Sequence, residues 1–199
     1  RRSCSPSVRN EDTVDTVTKQ LAGALQLPEA YPHHPSEVGF RQTQMSLLFF
    51  AGDFVYKVKK PVNLGYVDYT TLAARRHLCE QEVKLNRRLC AHAYLGVVPI
   101  VLRGGTYVVE GDGPATEYAV KMRRLPQERM LDRLVADGLA TSDMMRAVAE
   151  RVARFHSVAA TSDEISKYGA IESIRHNTDE NFQQTLSFID RTVRRDNYQ

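Results

Sequence analysis

Three observations predict an α+β chain: a small antiparallel sheet interrupted by one helix, then further helices. "MSLLFFAGDFVYKVKK" (residues 45–60) sets two strand-like runs on either side of a glycine turn. "YTTLAARRHLCEQEVKLNRRLC" (69–90) is rich in helix formers and free of Gly and Pro. Three more strand-like runs follow, and after them "TSDMMRAVAERVARFHSVAA" (141–160) returns to a helical period.

Each element can be justified in order. Val14, Val17, Leu21 and Leu25 recur at helical spacing until "YPHHPSE" breaks the pattern with two prolines, so residues 1–37 read as a leading helix and a linker. From Val38 to Val62 the residues favour strands, "AGD" at 51–53 makes a hairpin turn, and Pro61 ends the ladder. Thr70 or Thr71 can cap the first internal helix. "GVVPIVL", "TYVVEG" and "TEYAVKMRRL" read as an antiparallel meander with Gly104-Gly105 and "GDGP" as its turns, which makes five strands over residues 38–126. Residues 127–199 are expected to be helical. Thr141 or Ser142 caps one long helix, and "ENFQQTLSFIDRTVRR" gives another.

Composition narrows the function classes. With 199 residues, 42% of them hydrophobic and 26% charged, the chain can bury a real core. The net charge of +3 is spread among interleaved acids and bases, which permits a polyanion partner without demanding one. The basic run "RRHLCEQEVKLNRR" carries acids and lacks aromatic stacking residues, so it reads as a solvated helix face and no nucleic-acid partner is expected. Apolar runs such as Leu47–Phe50 are too short to cross a bilayer, and the N-terminus has no apolar signal core, so no membrane partner is expected. Cys4, Cys79 and Cys90 lack metal-ligand spacing, and two of them share one helix, which suits a reducing cytoplasm. The chain opens "RRSCSPSVRNED" without Met and stops at "RRDNYQ" without a cap; both ends read as cuts.

The chemistry lies between strand and helix. Alternation puts Phe54, Tyr56 and Val58 on one face of the strand and Val55, Lys57 and Lys59 on the other. On the strand alone, a solvated lysine face explains this. At 100° per residue, however, Glu82 falls within the stripe of Leu78, Leu85 and Leu89, while Glu80 points away. A carboxylate on the core side needs a partner. Lys57 is the nearest candidate in topology; the alternatives are solvent, Arg75 or Arg87.

A strand lysine paired with a glutamate on the next helix is the phosphate-positioning device of protein-kinase-like folds. "FVYK" stands where kinases carry V-A-I-K. "TQMSLLFFAGDFVYK" and "QEVKLNRRL" resemble the aminoglycoside phosphotransferase pattern S-N-x-x-F-x-V, Y-V-L-K, then R-E-x-x-x-L-x-x-L. "EYAVKMRRLPQERML" is similar to that family's hinge, M-E-Y-L-P-G, and "VAERVARFHSV" to its L-A-x-L-H helix. The chain looks most like the uncharacterised branch in which "YKVKKPV" and "LGVVPI" recur and a P-loop kinase domain often follows. The resemblance spans Val38 to Ala159, and the ordered set carries it, not any one motif.

The resemblance implies a kinase-like N-lobe over 38–126, the start of a helical C-lobe over 127–199, and the nucleotide-binding part of an ATP-dependent (or GTP-dependent) small-molecule phosphotransferase. Lys57 would hold the α- and β-phosphates, fixed by Glu82, with Lys59 as its rival. Val55 would roof the base, Met122 would back the pocket, and the backbone of Arg123 to Leu125 would supply the hinge donor and acceptor.

Departures limit this. "RQTQM" has no glycine, so the G-x-G-x-x-G loop is absent, and there is no H-G-D or H-R-D followed by Asn. "HNTDEN" (176–181) reads as a loop and helix cap, and His156, on a face with Met145, Ala149 and Val152, as a core or interlobe histidine. The catalytic base and the Mg²⁺ ligands are expected beyond Gln199, and this piece can at most position a nucleotide. The rival of another class is a pseudokinase-type binding module in which Lys57 and Glu82 form only a structural ion pair. The resemblance implies that the small-molecule acceptor is held mostly by the C-lobe.

Overall fold

The computed structural model describes residues 9–197, with side chains over 16–196. Its main elements are α1 (Arg9–Ala24), β1 (Val38–Gln42), β2 (Ser46–Ala51), β3 (Phe54–Lys59), α2 (Leu72–Cys90), β4 (Tyr94–Arg103), β5 (Thr106–Val109), β6 (Ala115–Arg123), α3 (Leu131–Ala136), α4 (Ser142–Val158), α5 (Asp163–Tyr168) and α6 (Ile171–Thr185). They fall into two compact units, one ending at Ala149 and the other starting at Glu150. The α+β class holds.

The strands form one antiparallel sheet in the order β1-β2-β3-β6-β4-β5. It has six strands where the sequence predicts five. The sixth, β1, turns into β2 without a glycine because Thr43 closes the turn: its N–H donates to the Ser46 carbonyl at 2.8 Å, and its Oγ1 accepts from the Ser46 N–H at 3.0 Å. The expected meander is also corrected, because β6 inserts between β3 and β4 and leaves β5 on the outer edge. The two tight turns are as expected: Gly52 (φ 58°) joins β2 to β3, and Gly104 (φ 57°) with Gly105 (φ 82°) joins β4 to β5.

The two faces of the sheet are covered differently. Leu47, Phe49, Tyr56, Val58, Ile100 and Ala119 are buried on one face. Against them pack Leu21 and Leu25 from the α1 segment, with Ala30 and Tyr31 just after it. The stretch expected to be a linker therefore contributes to the core. Burial pushes the Tyr31 hydroxyl well above its ordinary value, and it donates to the Leu25 carbonyl at 2.6 Å. The side chain of Val14, expected on the same helix face, lies outside the described residues.

α2 covers the other face with Cys79 and Val83 against Val120, flanked by Tyr94, Val97 and Met122. Its buried line is Arg75, Cys79 and Val83, at spacing i, i+4, i+8; Leu85 and Leu89 of the expected stripe are exposed, at 48% and 40%. The small side chains of Cys79 and Val83 let the helix lie close to the strands. Glu82 stands at the edge between the two lines, so it faces inward even though the stripe itself was misplaced.

Thr71 is the N-cap of α2, its hydroxyl accepting from the Ala74 N–H at 3.1 Å. Thr71→Ala is expected to cost about 1 kcal/mol. An unchanged urea midpoint would show that the cap contributes nothing.

Thr141 caps α4, as one of the two expected choices. In the second unit the helix boundaries move. "HNTDEN" is not a loop but the interior of α6, because no Gly or Pro interrupts the run from Ile171 and Thr178 returns its hydroxyl to the Ile174 carbonyl at 2.9 Å. The helix predicted over 180–195 ends at Thr185, followed by a short 3-10 turn at Leu186–Phe188. His156 is exposed, its ring 5.9 Å from that of Phe155, and is not a core residue. The apolar residues on its helix, such as Val152, are themselves exposed.

Candidate functional site

The space between β3 and α2 is charged. Lys57 Nζ donates to Glu82 Oε1 at 2.9 Å, and Lys59 Nζ donates to Glu82 Oε2 at 2.7 Å. Strand alternation produces this, since both lysines lie on the α2 side of β3 and Glu82 lies between them. The expected Lys57–Glu82 contact is present. The second lysine on the same carboxylate is the feature sequence reasoning missed, having treated Lys57 and Lys59 as rivals. Arg75 and Arg87, the other candidate partners, are engaged elsewhere: Arg75 with Glu117, Arg87 with the carbonyls of Tyr94 and Leu95.

The two lysines differ in access. The Lys57 side chain is 29% exposed and that of Lys59 only 5%, with its ammonium 5.1 Å from the centroid of the Tyr69 ring. Glu82 is 14% exposed. Burial alone would push its carboxyl up, but the hydrogen bonds from Lys59 and Lys57 outweigh burial and hold it below its ordinary range. Burial likewise pulls Lys59 down, and its bond to Glu82 more than restores it, so it stays charged beyond an ordinary lysine.

The signs follow by linkage. The Glu82 contribution is present above its ordinary pKa and is lost as pH falls through the depressed value. The Lys59 contribution is present below its ordinary pKa and is lost as pH rises through the raised value. The cluster is therefore intact across the neutral range. Nearby, burial pushes the Cys79 thiol up to about 11, so it is a packing residue with little thiolate.

The other expected residues line up beside this cluster. Val55 and Met122 are partners across β3 and β6, and Lys57 is the partner of Val120. Val55 is buried. At the end of β6, the Arg123 N–H donates to the Ala93 carbonyl and the Arg124 N–H to the Asp53 carbonyl, both at 2.8 Å. Two of the three backbone N–H groups of Arg123 to Leu125, the stretch expected to offer the hinge donor and acceptor, are thus committed within the protein. An open depression of about 380 Å³ adjoins this stretch, lined by Asp53, Arg124, Leu125 and Glu128. A more enclosed cavity of about 280 Å³ lies toward the other end of β3, where α1 residues Val17 and Leu21 meet Val58, Lys59 and Lys60.

Sequence reasoning missed two further features. Arg75 and Glu117 form a buried pair: Nε reaches the two carboxylate oxygens at 3.0 and 2.8 Å, while Nη1 donates to the Tyr69 and Thr70 carbonyls. The available signal was an acid on the same strand face as Ala119 and an arginine in line with Cys79 and Val83. The guanidinium groups of Arg41 and Arg124 each lie 5.7 Å from the Phe50 ring centroid. Among the described residues, no group of three His, Cys, Asp or Glu side chains could hold a metal, and no helix is long and apolar enough to cross a membrane.

The chain is 30% identical over 156 residues to Rv2004c, an uncharacterized protein of Mycobacterium tuberculosis, and to Mb2027c, an uncharacterized protein of Mycobacterium bovis. Each match takes in 78% of this chain and 30% of the relative, so the chain spans less than a third of the length of the curated relatives it matches. No family model matches the chain, and no solved structure matches it significantly.

Proposed function

We propose that this chain is the nucleotide-binding part of an ATP-dependent or GTP-dependent small-molecule phosphotransferase, with β1 to β6 and α2 as a protein-kinase-like N-lobe of the aminoglycoside phosphotransferase kind. The observation that carries the reading is Lys57 held at 2.9 Å by a helix carboxylate while its side chain stays partly open to solvent. An ammonium fixed in this way is oriented before a ligand arrives and can meet phosphate oxygens with its remaining donors. Exposure favours Lys57 over Lys59 as the phosphate lysine. Val55 and Met122 supply apolar walls for the base. The Leu125 N–H and the carbonyls of Arg123 to Leu125 are the groups of that stretch suited to read its edge.

Positioning alone does not transfer a phosphoryl group; Mg²⁺ would supply charge neutralisation, and on this reading its ligands and the base would come from outside these 199 residues. The greater length of the mycobacterial relatives leaves room for them, and for a P-loop kinase domain. The scaffold alternative draws on one observation, the double lysine pairing of Glu82, which would also serve as a structural ion cluster.

Calorimetric titration of the full-length protein with MgATP and MgGTP separates the two. Binding of at least one is expected, with Lys57→Ala weakening it by roughly 10- to 100-fold, the range of a hydrogen bond to a charged group. Failure of both nucleotides to bind the unmodified protein would favour the scaffold.

A further inference from the structure

We propose that Lys59 is a positioning residue for nucleotide binding: it holds the second oxygen of Glu82 so that Lys57 can turn toward phosphate without leaving a buried carboxylate unpaired. This rests on the nucleotide-binding reading of the same site.

The geometry assigns the two oxygens to different lysines. Oε1 takes Lys57 at 2.9 Å and Oε2 takes Lys59 at 2.7 Å. A single lysine would have to hold both carboxylate oxygens and the phosphates with three donors, so turning toward the ligand would leave at least one carboxylate oxygen without a cation, and an unpaired buried carboxylate costs several kcal/mol or takes up a proton. With two, Glu82 keeps its shorter bond whatever Lys57 does. Lys59 is suited to that task and poorly suited to ligand contact. Its side chain is 5% exposed, and its ammonium is enclosed by Glu82 and the face of Tyr69. The cluster also ties α2 to β3, so the helix keeps its place when Lys57 moves. Besides the two lysines of β3, the titratable groups facing Glu82 are Cys79 of α2 and Tyr94 of β4. Neither carries a charge near neutrality that could replace Lys59.

The test is nucleotide binding by the full-length protein as a function of pH, comparing unmodified protein with Lys59→Met, which keeps the stem and removes the charge. In the variant, Lys57 must serve both Glu82 and the phosphates, so binding draws a proton onto Glu82. Affinity relative to unmodified protein is expected to fall by about tenfold at about pH 8 and to recover toward about pH 6, one pKa unit being equivalent to a factor of ten. Calorimetry in buffers of different ionisation enthalpy should show the extra proton uptake directly. Equal affinities at both pH values, or a loss that does not depend on pH, would overturn the proposal while leaving the nucleotide-binding reading intact. Absence of binding by the unmodified protein would instead remove the reading itself.

If Lys59→Met does not fold, the lysine Nζ resonances of unmodified protein carry the test. Nucleotide should shift Lys57 and leave Lys59 unmoved. A shift of Lys59 with Lys57 unchanged would assign the phosphate contact to Lys59 and overturn the proposal.

Discussion

Glu82→Ala is expected to destabilise the sheet-and-helix unit by about 3–5 kcal/mol, the usual cost of removing one partner from a buried ion cluster. The substitution leaves two ammonium groups facing each other across an empty site, and one of them is only 5% exposed. Little compensation is available, since Cys79 is a neutral thiol and Tyr94 a neutral phenol near neutrality. Glu82→Gln keeps the volume and two polar atoms but removes the charge, and should fall between the two. Equilibrium urea denaturation would show a lower midpoint with an unchanged slope. A loss below about 1 kcal/mol would mean that the cluster is solvated like a surface pair, contrary to its burial.

Arg75 and Glu117 should behave as a coupled pair. Either Arg75→Met or Glu117→Leu alone is expected to cost about 3–5 kcal/mol, because each leaves the other charge buried and unmatched. The double substitution should cost much less than the sum, since a matched apolar pair of similar volume removes both desolvation penalties. Burial pushes the Glu117 carboxyl up, and Arg75 offsets part of that rise, so Glu117→Leu removes a group that already sits unfavourably. Some cost should remain in the double variant, because Arg75 also satisfies the Tyr69 and Thr70 carbonyls. Additive losses would show that the two side chains do not depend on one another.

How much of this was legible in the sequence depended on whether the signal was local. The β2–β3 hairpin, the cap of α2 and the inward lysines follow from alternation, a glycine and a threonine within a few residues of each other. The Lys57–Glu82 contact was legible because strand and helix adjoin in the chain and both charges point into one space. The turn before β2 was legible at "RQTQM", where Thr43 does the work usually done by Gly or Pro, yet the strand total was set at five and the sheet has six. The placement of β6 between β3 and β4 is a long-range pairing, to which local pattern is blind. The leucine stripe failed for another reason: a helix packed closely on a sheet buries small residues such as Cys79, and hydrophobicity alone ranks Leu85 above it. The interior of α6 was misread because its polar residues are ordinary in an exposed helix and also typical of caps.

The unequal covering of the two sheet faces carries over to the order in which the protein comes apart. The α1 face is held by a broad apolar core with large aromatic residues, so its strands can open only when much of the unit opens. The α2 face has a small apolar contact, and charge pairs supply much of the attachment. Apolar contact persists in concentrated salt, whereas the partly exposed portion of an ion cluster is screened. In concentrated salt the helix carrying Glu82 is thus expected to loosen before the central strands, and its amides would exchange with solvent ahead of theirs.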